Sequence, residues 1–126
     1  MHWFSLGVAL LAAFAIIFIG VRYLSDPRAM APSFGLPLPE AGPTISWWLR
    51  LKGVRDVVSG LVVLALMACN EGRLLGLVLL IGALIPLSDM LVVLAAKGRT
   101  ATALGVHGAT ALIMVLGAVP LLVGMA

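Results

Sequence analysis

The sequence predicts an all-α integral membrane protein, built as a bundle of four transmembrane helices. Apolar residues make up 63% of the 126-residue chain and charged residues only 10%, and the mean hydropathy is +1.21. These values lie far from those of soluble globular proteins. Four long apolar stretches alternate with short polar or Pro-rich segments. At about 20 residues per crossing, a chain of this length allows at most four helices with short connections.

The first apolar stretch predicts a helix over about residues 3–24. No charged residue lies between Trp3 and Val21, and the stretch ends at Arg22 and Tyr23. Arg and Tyr are residue types that favour the membrane interface, so they indicate the end of a crossing. We expect a retained helix rather than a secretory signal peptide, because the stretch begins without Lys or Arg and its apolar core is too long.

A Pro-rich segment follows at residues 25–44. Its five prolines exclude one continuous helix, while Phe34, Leu36 and Leu38 keep it partly apolar. We therefore expect a surface loop that folds back along the membrane.

Three further helices complete a single membrane domain over residues 1–126. Their expected bounds are about 46–69, 73–96 and 100–125, and the turn sequences "NEGR" and "KGRT" separate them.

The distribution of Lys and Arg predicts the orientation. Arg73 marks one side of the membrane. Seven basic residues lie near the other side, shared by the first and third connections: Arg22, Arg28, Arg50, Lys52, Arg55, Lys97 and Arg99. The positive-inside rule then predicts a multi-pass protein of the inner (plasma) membrane with both termini outside.

Composition also excludes several functions. The net charge of +3 comes without the basic stripe and interleaved aromatic residues of a nucleic-acid-binding protein, so we expect no nucleic-acid partner. The single cysteine, Cys69, excludes an intrachain disulfide and a cysteine-based metal cluster. One His and two Asp residues in the apolar stretches have basic neighbours, and we expect neither a metal nor a cofactor there.

Three ionisable residues in three different helices are predicted to share one depth in the membrane. Asp89 lies eight residues before Lys97, His107 lies eight residues after Arg99, and Asp56 lies eight residues after an interfacial tryptophan. At about 1.5 Å per helical residue, each lies about 12 Å below the same surface. An ionisable group at that depth costs about 3 kcal/mol on insertion scales, so these groups should face inward and find partners.

Helical spacing adds further candidates. In the second helix, the residues predicted to share one face at spacings of three, four and seven are Trp48, Lys52, Arg55, Asp56 and Ser59. Lys52 can pair directly with Asp56. Tyr23 lies at the inner end of the first helix, and Met114 shares a face with His107. The predicted catalytic residues are Asp56, Asp89, His107 and Arg55, and the predicted substrate contacts are Lys52, Ser59, Trp48, Tyr23 and Met114.

Three motifs together resemble a family of small bacterial four-helix membrane proteins described only as a domain of unknown function. These are Gly53-Val54-Arg55-Asp56 in the second helix, Pro86-Leu87-Ser88-Asp89 in the third and His107 in the fourth. The resemblance spans the second to fourth helices and is not extended to the Pro-rich connection. It implies a fold and a polar cluster but supplies no reaction.

An enzyme acting on a lipophilic small molecule from the bilayer is the first functional hypothesis. In it, His107 is oriented by Asp89 and gives or takes a proton, while Asp56 is the complementary acid or base. Arg55 stabilises developing negative charge. Such a site could isomerise a double bond, open an epoxide or close a ring without a cofactor, with the Pro-rich segment as a lid.

Two other classes stay open. Length and helix count resemble the small multidrug resistance proteins, which suggests a proton-coupled exporter, with a homodimer as one form it could take. Those proteins carry their membrane-embedded acid in the first helix, whereas no acid lies between Trp3 and Val21 here. The third class is a non-catalytic accessory subunit, in which pairs such as Lys52 with Asp56 only fasten the bundle. The one-sided position of the cluster favours the enzyme, since alternating access prefers a site near the midplane.

Overall fold

The computed structural model describes residues 2–38 and 42–124, and every regular element within them is helical. The elements are α1 (His2–Ser25), α2 (Pro27–Met30), a 3-10 turn (Ala31–Phe34), α3 (Pro43–Ala68), α4 (Gly72–Gly82), α5 (Leu84–Ala95), α6 (Thr100–Thr102), a π-helical segment (Ala103–Gly108) and α7 (Ala109–Leu122). The all-α prediction is confirmed.

Three stretches are long and apolar enough to cross a membrane: Trp3–Ser25, Gly72–Ala95 and Thr100–Leu122. They correspond to the first, third and fourth predicted helices. The second predicted helix, α3, is 26 residues long, but it carries Arg55 and Asp56 in front of its apolar half. The structure thus gives three clear membrane-spanning candidates instead of the four expected from the sequence.

Glycines bring α1 and α3 into backbone contact. A Cβ atom added at Gly20 would lie 2.7 Å from the carbonyl oxygen of Gly53, and one added at Gly53 would lie 2.7 Å from that of Gly20. Further along, a Cβ at Gly60 would lie 2.8 Å from the carbonyl oxygen of Ala13. Only a residue without a side chain permits such an approach, so these glycines fix the rotation of α3 about its axis.

That rotation differs from the face predicted for the second helix. The inward face contains Gly53, Gly60 and Val63, which are all buried. Arg55 and Ser59, predicted to face inward, are exposed. Apolar residues are distributed almost evenly around α3, so their spacing does not identify its buried face. The small residues determine which side approaches α1.

The third predicted helix is interrupted. Its two parts, α4 and α5, meet at Ala83, three residues before Pro86. Proline has no N–H to donate to the carbonyl of Gly82, and its ring crowds the preceding turn. The interruption therefore falls where the proline weakens the helix.

The hydrophobic core lies at one end of the bundle. Its buried residues come from the early part of α1, the end of α3, α4 and the end of α7: Ala9, Ala13, Val63, Leu75, Leu79, Ala118 and Leu121. The polar side chains lie at the opposite end, where α1 and α5 end and α3 begins.

The Pro-rich segment folds over that opposite end. Asp26 accepts a hydrogen bond from the N–H of Ala29 at 3.3 Å and so caps α2. The 3-10 turn follows directly and ends at Gly35, whose φ of +94° lies in the region that favours glycine. We call residues 27–35 the cap.

Candidate functional site

Asp89 and His107 face each other between α5 and the π-helical segment. The Nδ1 atom of His107 lies 3.9 Å from Oδ2 of Asp89. His107 is 9% exposed, whereas the Asp89 side chain is 32% exposed. A separation of 3.9 Å is too long for a hydrogen bond, but it is short enough for the carboxylate to attract the imidazole whenever the ring is protonated.

The other nitrogen of His107 contacts the cap. Nε2 lies 2.8 Å from the backbone carbonyl oxygen of Phe34. A carbonyl oxygen only accepts hydrogen bonds, so Nε2 carries a proton and donates it to this bond. It follows that Nδ1, on the Asp89 side, is the nitrogen able to gain or lose a proton while the cap is closed.

A π-helix presents His107. The N–H of Ala109 bonds to the carbonyl of Leu104 five residues earlier, and the wider turn spans Ala103–Gly108. Short π-helical turns inside α-helices are rare and occur frequently at functional sites. Nothing in the residue types of this stretch indicated a π-helix beforehand.

The ring of Phe34 fills the space beside the imidazole. The two ring centroids are 4.5 Å apart at an interplanar angle of 47°. The neighbouring carbonyl of Gly35 accepts a hydrogen bond from the N–H of Arg99 at 2.8 Å, which docks the cap on the connection between α5 and α6. A Cβ atom added at Gly98 would collide with that same carbonyl oxygen.

Lys52 forms a second pair, with Asp56. Its Nζ atom lies 2.6 Å from Oδ2 of Asp56, as the spacing of the two residues predicted. The same ammonium group lies 4.2 Å from the ring centroid of Tyr23 and 5.4 Å from that of Phe34. Aromatic faces attract a cation, so one acid and two rings hold Lys52 in place.

Tyr23 connects α1 to the cap. Its side chain is 2% exposed, and its hydroxyl donates a long hydrogen bond of 3.4 Å to the carbonyl of Met30. The Ser33 hydroxyl, which donates to the same carbonyl at 2.6 Å, also interacts with the phenol. The cap is therefore tied to the bundle at both its α2 and its Gly35 ends.

The two pairs form one site. Asp89 interacts electrostatically with Lys52 and Asp56 as well as with His107. We call the set Tyr23, Lys52, Asp56, Asp89 and His107 the polar cluster. Its members come from α1, α3, α5 and the π-helical segment, and the cap covers them. In the described part of the chain, no group of three or more His, Cys, Asp or Glu side chains is arranged to hold a metal ion.

Four of the predicted site residues lie outside the polar cluster. Arg55 is exposed, and among the described residues its side chain has no ion-pair partner. Ser59 is also exposed and donates to the carbonyl of Arg55 in its own helix. Trp48 is 65% exposed, and Met114 packs beside the hydrophobic core.

Phe34 is the site residue that sequence reasoning missed. In the sequence, Phe34 stood out only as one of the residues that keep the Pro-rich segment partly apolar. One signal was available: it is the single aromatic residue of the Pro-rich segment and is followed directly by a glycine.

An apolar groove lies beside the polar cluster. It has a volume of about 510 Å³ and is bounded by α4, α5, the π-helical segment and α7. Met90 and Gly108, the chain neighbours of Asp89 and His107, form part of its wall.

Fold and site define a class: an all-helical membrane protein with a cluster of ionisable side chains at one end, beneath a Pro-rich cap. The chain belongs to the family described as Domain of unknown function (DUF4267), whose model matches residues 13–121. The matched range includes the polar cluster and the cap, and it confirms the resemblance to an uncharacterised family. Comparison with curated proteins and with solved structures gives no match to either.

Proposed function

We propose that this protein is a membrane enzyme that performs acid/base chemistry on a lipophilic small molecule without a cofactor. The observation that carries the proposal is the environment of His107. Its Nε2 atom is fixed as a donor to Phe34, and Nδ1 faces Asp89 at 3.9 Å. An imidazole with one nitrogen fixed and the other beside a carboxylate is suited to proton transfer.

In this proposal, the ring of Phe34 leaves when substrate enters. Nδ1 of His107 removes a proton from one carbon of the substrate, and Asp89 stabilises the imidazolium that forms. Return of the proton at another carbon completes an isomerisation with no net change in atoms. Ring closure and epoxide opening require the same proton donor and acceptor.

Lys52 takes the part that the sequence assigned to Arg55. Its ammonium group lies inside the polar cluster beside Asp56, whereas Arg55 faces away from it. A cation that is already in place stabilises negative charge developing on the substrate, and the site need not reorganise during the reaction. The contact with Asp56 holds the lysine in place.

The substrate class follows from the apolar groove. A lipophilic molecule can enter from the bilayer, lie along α4, α5 and α7, and place its reactive end at the polar cluster. Closure of the cap then excludes water from the reacting atoms. The whole cluster comes from one chain, so the proposal holds for a monomer and for a homodimer alike.

The placement in the membrane is part of the proposal. We propose that α3 is the fourth crossing, with Lys52 and Asp56 entering the bilayer as a pair. The excess of Lys and Arg on the cap side supports a cytoplasmic cap side, with both termini outside, in the inner (plasma) membrane.

Deuterium incorporation tests the reaction. Purified protein is reconstituted in vesicles made with a membrane lipid extract, incubated in D₂O and followed by mass spectrometry of the lipophilic compounds. We expect a compound that gains deuterium or is converted to an isomer with the wild type and with Cys69→Ser, a change at an exposed residue outside the site. His107→Gln and Asp89→Asn should abolish the change while retaining the helical fold.

The other two classes predict different outcomes of that experiment. An exporter would leave every lipid unchanged and would consume a proton gradient when a lipophilic cation is added to the vesicles. An accessory subunit would neither convert a lipid nor consume a proton gradient. Equal conversion by wild type and His107→Gln would also contradict the proposal.

A further inference from the structure

A second groove lies outside the polar cluster, where α1 ends and α2 and α3 begin. Its volume is about 320 Å³, and its polar walls include Asp26, Arg28, Ser46 and Arg50. Trp47 forms one of its apolar walls. Neither arginine takes part in the proposed reaction.

Both guanidinium groups are held by their own chain. Arg28 donates from Nε to the hydroxyl of Ser46 at 3.3 Å and from a terminal nitrogen to the carbonyl of Gly42 at 3.4 Å. Arg50 donates from Nε to the carbonyl of Leu24 at 3.3 Å. Because these bonds fix the side chains in advance, less conformational entropy is lost when a ligand binds.

Donors remain for a ligand after those bonds. A guanidinium has five N–H groups; among residues 2–38 and 42–124, Arg28 uses two of them and Arg50 one. The guanidinium of Arg50 also lies over the ring of Trp47, 5.1 Å from its centroid, which fixes its plane. Planar, fixed N–H groups suit the oxygen atoms of a phosphate.

The charge of the groove selects the kind of phosphate. Two arginines and Asp26 give a net charge of +1, and the Asp26 carboxylate is engaged as the cap of α2. A phosphodiester carries one negative charge, whereas a phosphomonoester carries about −1.5 to −2 near pH 7. The groove therefore matches a phosphodiester better.

The position of the groove matches the level of lipid headgroups. Trp47 and Trp48 are 66% and 65% exposed, as expected for aromatic residues in the membrane interface. This end of the bundle also holds most of the basic residues, which draws anionic lipids to it.

We propose that this groove binds the phosphodiester headgroup of an anionic phospholipid through Arg28 and Arg50. The site is independent of the proposed reaction.

Native mass spectrometry of the full chain in detergent tests the site, with phosphatidylglycerol as the probe. We expect retained phosphatidylglycerol, and much weaker retention of zwitterionic phosphatidylcholine. Arg28→Gln and Arg50→Gln should each weaken retention about fivefold, from the contribution of one basic residue near a membrane surface. The matched control is Arg99→Gln, an exposed arginine on the same side of the membrane but outside the groove, and it should weaken retention clearly less than either groove variant.

A competition arm distinguishes the source of the phosphate. Inorganic phosphate at millimolar concentration should leave bound phosphatidylglycerol in place; displacement would assign the groove to a soluble phosphate and overturn the lipid assignment. Equal retention by wild type and the Arg28→Gln variant would overturn the site itself. Arg50 also satisfies a carbonyl at the end of α1, so Arg50→Lys is included, and its retention should lie between those of the wild type and Arg50→Gln.

Discussion

The Nε2 atom of His107 lies 2.8 Å from the carbonyl oxygen of Phe34, a residue 73 positions earlier in the chain. This hydrogen bond therefore links the cap directly to the buried imidazole. When the cap opens, Nε2 loses its acceptor and the ring of Phe34 leaves the imidazole face. Opening of the cap thus changes the chemistry of His107 as well as access to it.

Phe34→Ala should expose His107. Removing the ring opens a path to the imidazole and removes the cap's contact with Lys52. We expect diethyl pyrocarbonate to modify His107 severalfold faster, as measured by mass spectrometry of the peptide that contains it. Leu38→Ala is the matched control, because Leu38 lies in the same segment and is 67% exposed. Equal rates in the two variants would show that the ring of Phe34 does not cover the site.

Gly98→Ala should open the cap from its other end, with Phe34 intact. The added methyl group would collide with the carbonyl of Gly35, which accepts the hydrogen bond from Arg99. The reactivity of His107 should again rise. Gly105→Ala serves as the control, since a Cβ atom there would meet nothing within 4 Å. An unchanged rate in Gly98→Ala would mean that the docking of Gly35 does not hold the cap closed.

The common level of the polar residues along the bundle could be predicted from the sequence, because position along a helix axis follows directly from residue count. Asp89 and His107 do meet, and Lys52 pairs with Asp56 as spacing suggested. Rotation about the helix axis could not be predicted in the same way. Arg55 is exposed because Gly53 turns its own side of α3 toward α1.

The contribution of the cap was also beyond sequence reasoning. The proline content predicted a segment without a long helix that folds back along the membrane. This prediction does not show where one aromatic ring of the segment will lie. Phe34 reaches His107 only because Gly35 adopts a positive φ and docks on the connection after α5. Such contacts between distant parts of the chain depend on the complete fold.

Gly20→Ala and Gly53→Ala should each destabilise the bundle. A Cβ atom at either position would lie 2.7 Å from the carbonyl oxygen of the other residue, so α1 and α3 must move apart. Overpacking of this kind costs about 1–3 kcal/mol. The measurement is thermal unfolding in detergent followed by circular dichroism. Gly7→Ala is the control: Gly7 lies in α1, like Gly20, and a Cβ atom there would meet nothing within 4 Å. This variant should be neutral or slightly stabilising, since alanine favours a helix.

A double-mutant cycle on Lys52 and Asp56 should show strong coupling. Their charged atoms are 2.6 Å apart, and the side chains are only 30% and 17% exposed. Lys52→Met or Asp56→Asn alone leaves a partner without its counter-charge, at a cost of about 2–3 kcal/mol in the free energy of unfolding. The double variant should cost clearly less than the sum, because neither charge then remains unpaired.

The neighbouring arginine provides the control for this cycle. Arg55 precedes Asp56 directly but is exposed and forms no ion pair among the described residues. The free-energy changes of Arg55→Met and Asp56→Asn should therefore add within error. Strong coupling of Arg55 with Asp56, together with additivity for Lys52 with Asp56, would contradict the observed rotation of α3. It would also restore Arg55 as the cation of the site, because the partner of Asp56 is the residue that can stabilise charge there.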